Sequence, residues 1–247
     1  MKQINIELLA LQKDWLSKVV EPFITKGYDE QFSRPFHFGV SEQLDREKKL
    51  VMIVGQEADC FWRYEDNDKT PDYIQQWCIG YFDKQIFKTP FPEYDQFNHS
   101  AFWRFFRMLH QEGFELCWNN VDKLHRYQDK GATNATETLT AEYEKQLSIQ
   151  YGEDSKSLLQ REIELVQPDA IVFLTGPNYR VTMGTAFGLS DTMLDLFAPT
   201  KSNVCSEISK ILNLDIPVFW TYHPGYLSKN SGFMDQVISF ISSSISK

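Results

Sequence analysis

Apolar residues recur along this chain with two periods, one helical and one extended, and the two alternate. Leu8, Leu11, Trp15, Leu16 and Val19 fall at helical spacing, which predicts an opening helix that Pro22 ends or kinks. The compact run Lys49-Leu50-Val51-Met52-Ile53-Val54, stopped by Gly55, predicts a first buried parallel strand. Residues 56–97 mix aromatics, charges and the prolines Pro71, Pro90 and Pro92, the pattern of a long, partly helical excursion. A helix follows, with Asn98 or Ser100 as its cap, Phe102, Phe105, Phe106 and Leu109 facing inward, and Gly113 as its stop.

Phe114 to Trp118 is the second predicted strand and Ala170 to Thr175 the third, closed by Gly176. Between them lie a polar, weakly patterned insertion at 128–157 and a helix through Leu158, Leu159, Ile163 and Val166 that ends near Pro168. Ile208, Ile211 and Leu212 mark a short helix, Pro217 to Tyr222 a fourth strand, and a last helix starts near Gly232. Strands alternating with helices imply right-handed crossovers. The expected architecture is therefore α/β: three α/β/α layers around a central, mainly four-stranded parallel sheet. At 247 residues it forms one domain, with an N-terminal helical extension over about residues 1–45.

Composition narrows the function. Hydrophobic residues make up 42% of the chain and aromatics 15%, enough to fill a core. A net charge of -9 excludes attachment to nucleic acid or an anionic membrane by bulk electrostatics and leaves only a local basic groove. Trp103, Arg104, Arg107 and His110 cluster at helical spacing, as a solvated helix face does. Cys60, Cys78, Cys117 and Cys205 form no CxxC pair, which argues against a structural zinc, an iron–sulfur cluster or a disulfide framework; reduced thiols in a cytoplasmic protein are expected. No apolar run approaches the roughly 18 residues of a membrane span, so no membrane partner is expected. His37, His99, His110 and His125 lack metal-ligand spacing, and no phosphate-cradling glycine loop is present.

The chemistry-bearing residues gather where the strands end. Gly55-Gln56-Glu57-Ala58-Asp59, Asn119-Asn120, Gly176-Pro177-Asn178-Tyr179 and His223-Pro224-Gly225-Tyr226 each follow a strand, and ligands of parallel sheets bind beyond those carboxyl ends. A carboxylate, a carboxamide and an imidazole converging there suit hydrolysis: the acid positions water, the amide reads a planar polar ligand, and the imidazole stabilises a leaving anion. Each residue also has a plainer use. Gly55 and Gly176 serve equally as hinges, Glu57 and Asp59 as charges at a helix N-terminus, and Asn119 and Asn120 as turn formers. His223, at the mouth of a buried strand, is the strongest single candidate.

Taken in order, the four segments resemble the uracil-DNA glycosylase superfamily from about residue 45 to residue 240. Val51 to Glu57 looks like the family's first motif, with Glu57 where one branch keeps its water-activating acid and Gln56 where another keeps a catalytic Glu. Phe114 to Asn120 is similar to the strand whose terminal Asn reads the uracil edge, with Asn119 the better match. Val218 to Pro224 resembles the closing motif, whose His contacts the departing base and whose following residues enter the DNA. Ala58 stands where the family has proline, Asp59-Cys60 where Tyr-His often follows, and Gly225-Tyr226 where Ser-Pro is usual.

The resemblance implies base flipping and hydrolysis of an N-glycosidic bond in single- or double-stranded DNA through an oxocarbenium-like state. Glu57 or Asp59 would orient water, His223 would act on the leaving base, and Gly55, Gln56, Phe61, Asn119, Asn120, Gly176, Pro224 and Tyr226 would line the substrate, with Phe61 as the stacking aromatic. No metal or organic cofactor is then required. The alternative is a noncatalytic binder of nucleobases or single strands that keeps the fold, and a third expectation is an unrelated small-molecule hydrolase on a similar sheet.

Overall fold

The computed structural model describes residues 1–24, 32–57, 62, 69–124, 156–190 and 193–246. Five strands form one sheet in the order β2-β1-β3-β5-β4: β1 (Leu50–Glu57), β2 (Glu115–Asp122), β3 (Ala170–Phe173), β4 (Cys205–Glu207) and β5 (Val218–Thr221). The first three and β5 run parallel, and the three-residue β4 is antiparallel to β5 at the edge. Val51, Met52, Ile53 and Val54 are all fully buried, as strands covered on both faces require.

Two strands run further than their apolar cores predict. β1 and β2 stay paired through Gly55↔Asn120 and Glu57↔Asp122, so the expected strand-end loops after Val54 and Trp118 are still sheet. Backbone pairing does not depend on side-chain polarity, and it continues while both partners remain extended.

Helices cover both faces. α1 (Lys2–Trp15) passes through a π turn at Leu16–Val20 into α2 (Glu21–Ile24). Pro22 therefore does not end the helix; the change of register places it in the first turn of α2, where proline is tolerated. α3 (Pro71–Phe87) starts on Thr70, whose side chain accepts from Tyr73 N, with Pro71 pre-set for the first turn. α4 (Ala101–Gln111) precedes β2, and α5 (Leu158–Val166) opens on a capping box in which Ser157 and Gln160 satisfy each other's backbone N–H groups. The short α6 (Arg180–Ala186), α7 (Ser209–Leu212) and α8 (Pro224–Leu227) precede the closing α9 (Phe233–Ile245).

α4 packs with α3, α8 and α9, while α1 packs on α5. Trp103 belongs to the core, not to a solvated face: it is 4% exposed and packs edge-on against Tyr81 and Trp118. His110 Nδ1–H donates to the Phe114 carbonyl, Arg107 covers the Phe97 ring, and Arg104 alone of that cluster is exposed.

A buried polar network joins α1, β2 and α5. Lys123, just beyond β2, lies 2.7 Å from Glu162 of α5, and both side chains are sealed from solvent. Glu162 also accepts from Asn119 Nδ2 (2.9 Å) and Gln12 Nε2 (2.8 Å), and Lys123 Nζ donates to Asn119 Oδ1. Gln12 Nε2 reaches the Phe38 carbonyl as well, so its Oε1 must accept from His37 Nδ1 at 3.3 Å. Burial pulls the Lys123 ammonium below its ordinary value against the opposing pull of Glu162. The His37 imidazole, desolvated and facing that ammonium, is lowered to about 3.

Two outcomes follow from that network. Glu162→Gln strands a buried ammonium and is expected to cost about 3–5 kcal/mol in urea unfolding, most of it recovered in a Lys123→Met, Glu162→Leu double variant; a loss below about 1 kcal/mol would mean water reaches the pair. His37 is neutral when folded and takes up a proton near 6.5 when unfolded, so its contribution is intact above that pH and declines toward pH 3, by about 1.4 kcal/mol per pH unit. Thermal midpoints measured from pH 7 to pH 5 should fall more steeply for the native chain than for His37→Gln.

Candidate functional site

The strand order brings β1, β3 and β5 together, and their carboxyl ends are tied side by side. Gln56 Nε2 donates to the Thr175 carbonyl at 2.8 Å, joining the end of β1 to the end of β3. Gly176 N then donates to the Thr221 carbonyl at 2.9 Å, joining β3 to β5. Gly176 has a φ of 67°, left-handed backbone that glycine adopts without a Cβ penalty, and the position of that missing Cβ looks onto the His223 backbone at 3.8 Å. Gln56 thus holds strands in place with its amide, and Gly176 shapes the turn beside His223.

His223 caps α8. Its Nδ1 accepts from Gly225 N at 3.1 Å, a role that serine or aspartate fills in most helices, and Pro224 occupies the next position, where its missing N–H costs nothing. A side chain at 225 would stand 3.1 Å from Nδ1, so glycine gives this bond its room. An Nδ1 that accepts has no proton, which leaves the proton on Nε2. Burial lowers the His223 pKa below its ordinary value, so the ring is neutral at neutral pH and Nε2–H is a donor. The ring stacks on Phe102 of α4, with centroids 6.0 Å apart and planes 19° from parallel.

Phe102 leads to Gly55. A Cβ at position 55 would lie 3.4 Å from the Phe102 ring edge and 2.4 Å from Asn120 Oδ1, so only glycine lets the Asn120 amide lie across β1. Asn120 is 1% exposed. Its Oδ1 accepts from Trp118 Nε1 at 3.3 Å, and its Nδ2 has no partner among the described residues. A buried amide donor left unmet costs about 1–3 kcal/mol, a cost that a ligand acceptor would remove.

The two asparagines, adjacent in β2, point to opposite faces of the sheet. Asn119, expected to read a base edge, instead spends its amide on Glu162, Lys123 and the Asn120 N–H (2.8 Å). Asn120 is the one beside Gly55, under the Phe102 ring that stacks on the histidine. Sequence gave no reason to prefer it: the face of a polar strand residue depends on where the strand stops, and β2 stops later than its apolar run.

Tyr226 stacks on Tyr222, with centroids 4.2 Å apart, and Pro224 is buried in the first turn of α8. Of Glu57 the backbone is described, as the last residue of β1, opposite Asp122. Asp59 and Phe61 lie outside the described residues, as do His125, Cys60 and positions 128–155 of the insertion. Phe102, which its period places in the core, is half-buried and stacks on the histidine.

Two open clefts, of about 390 and 430 Å³, lie elsewhere, one between β4 and α9 and one between α4 and α9, and neither includes His223 or Asn120. Among the described residues no three His, Cys, Asp or Glu side chains group as a metal site, and no helix is long and apolar enough to cross a membrane. Burial raises the thiols of Cys78, Cys117 and Cys205 far above the range of a reactive thiolate.

The state of His223 can be measured. Long-range ¹H–¹⁵N spectra across pH 8 to 5 are expected to show the Nε2-protonated tautomer, with protonation setting in below the ordinary histidine value of about 6.5. An Nδ1-protonated ring, or a midpoint above that value, would remove the Gly225 bond as the determinant.

No family model matches the chain, and no curated protein matches it in sequence.

Proposed function

We propose that this chain is a divergent member of the uracil-DNA glycosylase superfamily that hydrolyses the N-glycosidic bond of a base in DNA. One arrangement supports the proposal above the others: a neutral His223, with its proton on Nε2, stands at the carboxyl end of β5 stacked on Phe102, and the same ring lies over Gly55, against which Asn120 sets an amide with an unmet donor. The parallel sheet with helices on both faces, whose carboxyl ends carry these groups, agrees with the sequence resemblance.

The chemistry divides among the residues as follows. As the glycosidic bond breaks, its electron pair leaves with the base, and the sugar becomes oxocarbenium-like. His223 Nε2–H donates a hydrogen bond to the departing anion, a fixed dipole aimed at developing charge. Asn120, rather than Asn119, offers Nδ2–H to the flipped base. Glu57, two residues beyond Gly55 on β1, or Asp59 accepts the proton of the attacking water, whose oxygen forms the new bond to the sugar. Phe102 backs the imidazole, and Gln56 and Gly176 hold the strand ends.

The test is single-turnover base release from uracil-containing single- and double-stranded oligonucleotides. The native chain is expected to release base, His223→Ala and Asn120→Ala to lose about 10²–10³ in rate, and one of Glu57→Ala and Asp59→Ala to lose it comparably. No release by native protein at stoichiometric concentration would overturn hydrolysis of this base, and strand binding retained without release would identify a noncatalytic nucleobase or single-strand binder on the same fold.

A further inference from the structure

The positive charges of α4 take no part in the base site. Arg104 and Arg107, three residues apart, share the face of the helix opposite its buried Phe105, Phe106 and Leu109. Neither guanidinium forms a hydrogen bond or an ion pair with a described residue. Arg107 instead lies over the Phe97 ring, its guanidinium carbon 4.5 Å from the centroid, and Phe97 meets the exposed His99 edge-on at 5.2 Å. Arg107 Nη1 is sealed from solvent with no partner among the described residues. Burial pulls the guanidinium below its ordinary value, and no described carboxylate offsets that pull.

An arginine used by the fold is normally met by a carboxylate or by carbonyls. The acids around Arg107 are spent elsewhere. Glu93 accepts from Tyr73, Asp95 faces Lys84, and Glu112 accepts from Ser242 and lines, with Asp235, the cleft between α4 and α9. Stacking on Phe97 thus holds the plane of the guanidinium while leaving its N–H groups unused.

We infer that Arg104 and Arg107, with His99 beyond Phe97, form a clamp for the phosphodiester backbone of single-stranded nucleic acid on the outer face of α4. The inference rests on the base site proposed above for the class of its ligand. Phe102, which stacks on His223, belongs to the first turn of the same helix. Arg107 follows it by five residues, about 7.5 Å of helix axis, so one rigid element carries both groups. A planar guanidinium presents paired N–H groups to two phosphate oxygens and is weakly hydrated. In a chain of net charge -9, backbone affinity has to rest on such local contacts.

Strand binding tests the clamp, read by fluorescence anisotropy of a labelled uracil-containing single strand between about 50 and 200 mM salt. Arg104→Gln and Arg107→Gln are each expected to flatten the slope of log affinity against log salt by about 0.7, the share of one single-strand phosphate. Arg107→Lys keeps the charge and should keep the slope. An unchanged slope in the double glutamine variant, an equal loss in Arg107→Lys, or no measurable strand binding by the native chain overturns the inference. Base release by the same proteins separates it from the reading it rests on. Uracil released by a double variant with native strand affinity keeps the glycosylase and removes the clamp, whereas binding through these arginines without release keeps the clamp and removes the hydrolysis.

Thermal unfolding without any strand checks that Arg107 does not serve the fold. Arg107→Met keeps an unbranched stem on Phe97 and removes the unpaired charge, so its midpoint should lie no more than about 3 °C below the native value. A larger fall would assign the arginine to packing and overturn the clamp.

Discussion

The Lys123–Glu162 contact is the constraint on which the arrangement of this protein hangs. Two opposite charges without solvent are stable only if their hydrogen-bonding groups find partners, and here Asn119, Gln12 and, through Gln12, His37 and the Phe38 carbonyl supply them. Four separate stretches of chain are thereby fixed to one another. α1 cannot slide along α5 without losing Gln12, and β2 cannot slip by one residue without turning Asn119 out of the network and Asn120 into it. The network contributes less as net stability than as a choice of register.

That choice reaches the candidate site directly, because register on one face of β2 dictates what stands on the other. With Asn119 committed toward α5, Trp118 and Asn120 must face α4, and the pairing of Asn120 with Gly55 brings the amide across β1 beneath Phe102, whose ring in turn stacks on the imidazole. The same sheet edge is closed by the N-terminal segment: Asn5 holds Val40 by both its backbone groups, Gln75 holds the Phe38 carbonyl, and Phe36 N donates to the Lys123 carbonyl. The stripe Asn5, Leu8, Gln12, Trp15 on α1 is buried although half of it is polar.

Those polar members show where sequence patterning stops being informative. The β-branched runs around Val51, Ile171 and Phe219 are legible as buried strands because nothing else tolerates them, and Gly113 and Gly176 are legible as stops and Gly232 as the start of the last helix, each with a positive φ. Buried Asn5, Gln12, Asn119 and Glu162 are not legible, because a polar residue declares itself inward only through partners far away in the chain. β4 is not legible because three residues, Cys205-Ser206-Glu207, carry no period. Of the site, His223, Gly55 and Gly176 were identified by position alone. The exchange of roles between Asn119 and Asn120, and the part of Phe102, required the register of β2 and the packing of α4.

The described part of the site contains no cation, and that bears on how it would treat an anion. Both of its donors are neutral, and each is held in the donor state by a neighbour: Nε2–H of His223 because Gly225 N occupies Nδ1, and Nδ2–H of Asn120 because Trp118 occupies Oδ1. Neutral, fixed dipoles in a desolvated pocket stabilise a charge that develops during reaction without attracting anions beforehand. A chain with a net charge of -9 has no long-range pull on a polyanion to offer. Under the proposed function, discrimination has to come from the short-range geometry of these donors, and affinity for the nucleic-acid backbone from a local groove. That places the burden of recognition on Asn120 and His223 and, behind them, on the residues that keep each of them pointing one way.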